Sequence, residues 1–212
     1  ERSAAVFVQN CRILQYGNIP NICCMTFEVI AATSVCFQSP TLKGTITPGE
    51  TMSEKKKALF ICLGNICRSP IAEAVFLKTI ADAGVAADWE VDSAAIGAWH
   101  VGKSPDHRAL STMKKHDLPY DNRARQIKKA DFDKYDYIFG MDRENMSDLA
   151  RLAPGAGSKA KQLLLGDFDG EAPGKMIQDP YYDDGSEGFE QCYVQCVRCC
   201  VGFLDKVNKG EI

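Results

Sequence analysis

From Ser53 onward, short apolar runs alternate with stretches of helical spacing, and this alternation restricts the fold more than any other feature. The runs are KALFICL (57–63), WEVDSAAI (89–96), YDYIFGMD (135–142) and AKQLLLGD (160–167). The first is continuous, as in a strand buried on both faces, and the others are read as the second, third and fourth strands. Between them lie SPIAEAVFLKTIADAG (69–84), SPDHRALSTMKKH (104–116) and RENMSDLARLAP (143–154), and a longer helix is expected from about Glu187 to Lys209. Ser69 is expected as an N-cap with Pro70 at the first helical position, and Gly84 as the stop; Ser104–Pro105 repeats the same start. Strands alternating with helices predict one doubly wound α/β domain: a four-stranded parallel sheet covered on both faces. In such folds chemistry collects outside the carboxyl ends of the strands, and the first strand ends at Cys62.

The loop after that strand reads Cys62-Leu63-Gly64-Asn65-Ile66-Cys67-Arg68-Ser69. Gly64 and Asn65 are residue types that tolerate unusual or left-handed backbone. A tight curl there turns successive N–H groups inward as an anion nest, reinforced by the following helix N-terminus. Arg68 can fork onto two oxygens of the same anion. A cysteine in that positive field loses its proton readily, so Cys62 is expected to act as a thiolate. Nucleophile, phosphate-sized cradle and guanidinium clamp together describe attack on phosphorus. Cys62 alone would read equally well as a small apolar residue ending a strand; the strand before it and the Gly-Asn and Ser-Pro signals after it favour chemistry.

Phosphoryl transfer to sulfur requires an acid for the leaving oxygen. QDPYYDDG (178–185) offers Asp179, restrained by Pro180 and followed by Tyr181 and Tyr182, which can wall a slot for a planar ring. The same residues would also make an ordinary solvated turn.

CLGNICRSPIAEA and DPYYDD together resemble the low-molecular-weight protein tyrosine phosphatases, and the likeness runs through residues 53–209, including MD after the third strand and CVRCC in the last helix. The order of parts is specific, because the acid follows the cysteine by well over a hundred residues. The resemblance implies Cys62 as nucleophile, Arg68 as phosphate ligand and Asp179 as proton donor. It implies that Asn65, Ser69 and Ser93 hold the loop and the thiolate, and that neither metal nor cofactor is used. Expected partners are phosphotyrosine proteins and small aryl phosphates, with inorganic phosphate as inhibitor. One departure stands out: Asn122, in DNRARQ, occupies the place of a histidine that in vertebrate members pairs with a glutamate, here Glu73.

Other features point elsewhere and are weighed against this reading. GAWHVGKS (97–104) matches a nucleotide P-loop pattern, but Ala, Trp, His and Val are bulky where a phosphate needs close approach. Beside a phosphatase mouth, Trp99 becomes a substrate-contact wall. Cys192, Cys196, Cys199 and Cys200 fall on one helical stripe, which cannot wrap a single metal ion and predicts core packing. His100, His107 and His116 lack ligand spacing and are expected on the surface or in loops. An arsenate reductase on the same fold would need a relay of exposed cysteines, and a binding module for phosphotyrosine would not need Cys62, Arg68 and Asp179 all intact.

Ten cysteines without an even framework predict reduced thiols and a cytoplasmic setting. A net charge of -3 gives no reason to expect nucleic acid or an anionic membrane as a partner. Residues 1–52 show neither sustained period, and the longest apolar patch, VIAATSVCF, is too short to span a bilayer. They are expected to form an extension outside the domain at 53–212. Finally, the curl of the loop brings Cys67 toward Cys62, so that a disulfide between them is expected to protect an oxidised Cys62 reversibly.

Overall fold

The computed structural model describes residues 54–155 and 157–212. The expectation for residues 1–52 lies outside the described residues. Four strands, β1 (Lys56–Cys62), β2 (Trp89–Ala95), β3 (Tyr137–Gly140) and β4 (Lys161–Leu164), form one sheet in the order β2-β1-β3-β4, every neighbouring pair parallel. Parallel neighbours require crossovers, and these carry α1 (Arg68–Asp82), α2 (His107–Lys115), α3 (Asp131–Lys134) and α4 (Arg143–Leu152); α5 (Glu187–Asn208) closes the chain.

The two faces of the sheet follow from β-strand alternation. Ala58, Phe60 and Cys62 face α1 and α5, where Phe60 stacks on Phe139 at 5.1 Å and Phe203 meets Phe139 edge-on at 4.7 Å. Leu59, Ile61 and Ile138 face the opposite way, against Phe132, Tyr135 and Leu149. Cys192, Cys196, Cys199 and Cys200 are buried in the first of these cores, as their helical stripe predicts. Burial of each large side chain in this aromatic cluster stabilises the packing of α5 by roughly 1.5–3 kcal/mol.

The boundaries differ from expectation at both Ser-Pro steps. Helix α1 begins at Arg68, with Cys67 at the N-cap, so Ser69 lies inside the first turn and its hydroxyl serves the cysteine loop instead of the helix end. Pro70 is tolerated there because first-turn N–H groups have no intrahelical acceptor. Helix α2 is capped by Asp106, whose carboxylate accepts the Arg108 N–H at 2.8 Å, and not by Ser104. At the other end of α1 the expectation holds. Gly84, at φ 71°, sends its N–H to the Ala81 carbonyl while Val85 reaches Ile80, which closes the helix in a left-handed turn. Helix α3 was not legible, since four residues are too few to show a period.

Strand order places the site. The chain leaves β1 toward β2 on one side and later returns to β3 on the other, so the loops after β1 and β3 diverge and leave a crevice at their carboxyl ends. Cys62 and Asp142 stand on either side of that crevice. Among the described residues no helix is long and apolar enough to cross a membrane.

Candidate active site

The loop 63–67 curls back over the end of β1. Asn65 adopts φ 55°, as its residue type allows, and its backbone N–H donates to Cys62 Sγ at 3.2 Å. Gly64 does not take a positive φ; it is needed for space. A Cβ on it would lie 2.8 Å from the His100 ring. Cys62, Asn65, Arg68 and Ser69 are all buried.

Hydrogen-bond direction can be read from one amide. Asn65 Nδ2 donates to Ser69 Oγ at 2.9 Å and to Ser93 Oγ at 2.8 Å, while its Oδ1 accepts the Arg125 N–H at 3.0 Å. Both amide protons are therefore used, and the hydroxyl protons of the two serines must point elsewhere. Ser69 is left to donate to Cys62 Sγ at 3.1 Å. Ser93 donates to Glu73 Oε2 at 2.6 Å. Two donors thus converge on the sulfur.

Glu73 is fully buried and also accepts from Tyr120 at 2.6 Å and from Asn122. Asn122 therefore reaches the glutamate, as its position in the sequence implies, but as a neutral donor. Burial pushes the Glu73 carboxyl above its ordinary value, against the pull of Ser93, Tyr120 and Asn122.

Arg68 crosses to the other side of the crevice. One terminal nitrogen donates to Asp142 Oδ2 at 2.6 Å and to the Ile177 carbonyl at 3.1 Å; the other donates to Asp179 Oδ2 at 2.8 Å. Burial opposes its charge, yet Cys62, Asp179 and Asp142 more than offset this and hold the guanidinium protonated. Its Nε–H is buried and meets no acceptor among the described residues. Cys67, the last residue of the loop, is buried, and burial, followed by the proximity of Cys62, pushes its thiol well up.

Above the loop opens a cleft of about 320 Å³. Cys62, Leu63, Gly64, Ile66 and Cys67 form its floor, Asp179 one side, and Trp99, Tyr181 and Tyr182 its rim. Trp99 is 68% and Tyr182 88% exposed, and the two tyrosine rings stand nearly perpendicular with centroids 5.0 Å apart. The cleft thus has separate aromatic walls instead of a parallel stack. His100 also lines it, although its spacing marked it only as a loop histidine. Asp142, Tyr120 and Arg125 are further contributors that local pattern did not single out. The GAWHVGKS segment forms turns, and helix α2 begins only at His107. The helix start that a nucleotide loop requires at Lys103–Ser104 is missing, which removes the P-loop reading.

A family model described as low molecular weight phosphotyrosine protein phosphatase matches residues 57–211. The chain belongs to that family. It is 58% identical over 149 residues to low molecular weight phosphotyrosine protein phosphatase 1 of Drosophila melanogaster, covering 70% of this chain and 95% of that protein. The corresponding phosphatase of Homo sapiens is 49% identical over 154 residues, covering 72% and 96%. The crystal structure of Primo-1 superposes with a TM-score of 0.69 at 58% identity, over 71% of this chain and 97% of that one. Family membership and the four-stranded parallel α/β fold agree with the resemblance seen in CLGNICRSPIAEA and DPYYDD.

Proposed function

We propose that the chain hydrolyses phosphotyrosine in proteins, and small aryl phosphates, through a phosphocysteine at Cys62. The observation that carries this reading is the convergence of the Asn65 N–H and the Ser69 hydroxyl on Cys62 Sγ, with Arg68 and Asp179 joined at 2.8 Å across the same crevice. The thiolate is the nucleophile, and both donors point at its sulfur. Sγ attacks phosphorus, the bond from phosphorus to the aryl oxygen breaks, and the Asp179 carboxyl gives its proton to the departing phenolate. Asp179 then takes a proton from water as that oxygen attacks phosphorus and the S–P bond breaks, releasing inorganic phosphate. The other backbone N–H groups of residues 63–67 and the Arg68 guanidinium, whose Nε–H has no acceptor among the described residues, carry the charge of the phosphoryl oxygens.

Trp99, Tyr181 and Tyr182 hold the aromatic ring of the substrate, and Asn65, Ser69 and Ser93 keep the loop curled. No metal or cofactor enters this mechanism, and inorganic phosphate, the product, is a competitive inhibitor. The activity resides in residues 53–212, and residues 1–52 are not part of the catalytic domain. The cytoplasm suits it, because all six described cysteines are free thiols. Since all six are also buried, the exposed relay of an arsenate reductase finds no support among the described residues.

Steady-state hydrolysis of p-nitrophenyl phosphate and of a phosphotyrosine peptide tests the reading. Turnover of both, competitively inhibited by phosphate and unaffected by a chelator, is expected. Tight peptide binding without turnover would make the chain a phosphotyrosine-binding module instead.

A further inference from the structure

We propose that Arg108 is a positioning residue that sets Asp179 against the cysteine loop; the inference rests on Asp179 being the acid, as argued above. Arg108 lies on α2, outside the cleft, but its guanidinium spans two structures that must keep register during catalysis. Toward the acid loop, one terminal nitrogen donates to the Asp183 carbonyl at 2.8 Å and the other to the Tyr181 carbonyl at 2.9 Å. Toward the cysteine loop, Nε and that second nitrogen hold the two oxygens of Asp106, each at 3.1 Å. The backbone N–H of Asp106 in turn donates to the carbonyl of Ile66, inside the loop that follows Cys62, at 2.8 Å. A continuous path of hydrogen bonds therefore runs from residue 66 through Asp106 and Arg108 to residues 181 and 183.

Among the described residues, the side-chain hydrogen bonds that reach the backbone of residues 180–183 from outside the loop are those of Arg108. The acid loop packs against the start of α5 at Gly188, where a Cβ would lie 2.0 Å from Asp183 Oδ2 and 2.9 Å from Pro180 Cβ. The Arg108 guanidinium itself rests over the Phe189 ring, 4.6 Å from its centre. Asp179 is tied locally by the Tyr181 N–H, which donates to Oδ1 at 3.2 Å, and otherwise by Arg68. Arg68 is the group that a substrate phosphate also claims. Once a phosphate competes for that guanidinium, the place of Asp179 depends on the backbone of residues 180–183, and Arg108 holds two carbonyls of this stretch. Only a planar fork can serve two carbonyls and a bidentate carboxylate together; a lysine ammonium cannot.

The test is kcat/KM for aryl phosphates running from phenyl phosphate, a poor leaving group, to p-nitrophenyl phosphate, an activated one. It is measured for the parent, Arg108→Ala, Arg108→Lys, Asp179→Asn and the Arg108→Ala/Asp179→Asn double variant, with the melting temperature of each. Arg108→Ala is expected to lose about tenfold or more with phenyl phosphate and less than about threefold with p-nitrophenyl phosphate. In the Asp179→Asn background the same change is expected to cost less than about twofold, because Arg108 acts through Asp179. Should Arg108→Ala fail to fold, Arg108→Lys, which keeps the charge and the stem over Phe189, carries the test with the same ordering. Equal losses across the series, or an undiminished loss in the Asp179→Asn background, would overturn the proposal while leaving Asp179 as the acid. A flat series for Asp179→Asn itself would overturn the acid assignment, and this proposal with it.

Discussion

The carboxylate of Asp179 lies 2.8 Å from the guanidinium of Arg68, joining the proposed acid at the end of one loop to the proposed phosphate ligand at the start of α1. The same guanidinium is held by Asp142, at the carboxyl end of the neighbouring strand. Arg68 is 3% exposed, so two carboxylates and one buried cation form a single unit.

Arg68→Lys keeps the charge and loses the fork. Turnover of p-nitrophenyl phosphate should fall by about 100-fold or more, the scale seen when one preorganised donor to a developing anion is removed. Arg68→Ala removes the cation altogether and should also destabilise the fold by about 1–3 kcal/mol, less than for a fully buried pair because Asp142 and Asp179 stay partly exposed. Urea unfolding of the parent and both variants separates these effects; an Arg68→Ala variant as stable as the parent would mean that the Asp142 and Asp179 contacts contribute nothing to the fold.

Asn122→His tests the neutral partner of Glu73. Folding raises the Glu73 carboxyl above its ordinary value, so the protonated form favours the fold and ionisation as pH rises through the folded value costs stability. An imidazolium at residue 122 would favour the carboxylate instead. The variant should gain about 1–3 kcal/mol over whatever pH range leaves both groups charged. The gain should vanish at acid pH, where Glu73 is protonated, and at alkaline pH, where the imidazole is neutral. A melting-temperature profile against pH checks this, and no gain at any pH would mean that the pair does not form.

Asp169 should account for part of the acid sensitivity. Arg198 holds its carboxylate by two bonds, at 2.8 and 2.9 Å, and together with the Glu171 and Ala172 N–H groups keeps it down at about 2, against burial. A depressed carboxyl contributes stability that is fully present above its unfolded value and is lost as pH falls through the folded one. Arg198→Gln should therefore cost about 2 kcal/mol at pH 7 and much less near pH 2. Denaturant unfolding at the two pH values measures the difference, and equal costs would remove the pair from the stability account.

Cys67 is expected to rescue oxidised Cys62. Peroxide converts the Cys62 thiolate to a sulfenic acid, and attack by Cys67 sulfur releases water and forms the disulfide. Because burial pushes the Cys67 thiol up, little of it is ionised at neutral pH, so disulfide formation should accelerate as pH rises. Cys67→Ser should keep its activity, yet recover poorly when a thiol reductant is added after peroxide. Full recovery of that variant would leave Cys67 as packing alone.

What was legible in the sequence, and what was not, divides by range. Cys62, Asn65 and Arg68 could be recognised because strand, curl and helix are contiguous and each leaves a residue-type signal. The Ser-Pro steps misled at both helices, since the cap pattern cannot show that Ser69 is engaged by Asn65 and Cys62 or that Asp106 caps in place of Ser104. His100 meets Gly64, Tyr120 meets Glu73 and Arg108 meets Tyr181 across long chain separations, and nothing in the local period of those segments encodes the partner. Gly64 was marked correctly but for another reason: it makes room for a ring and does not adopt a positive φ.

Trapping the phosphoenzyme tests the central claim most directly. Mixing the protein with p-nitrophenyl phosphate, quenching within the first turnover and mapping the peptides by mass spectrometry should find one phosphoryl group, on Cys62. In the Asp179→Asn variant that species should persist longer, because the base for the attacking water is lost. Cys62→Ser should carry no phosphoryl group and retain less than about a thousandth of the rate. A phosphoryl group on any other residue, or turnover in Cys62→Ser above that level, would contradict the account.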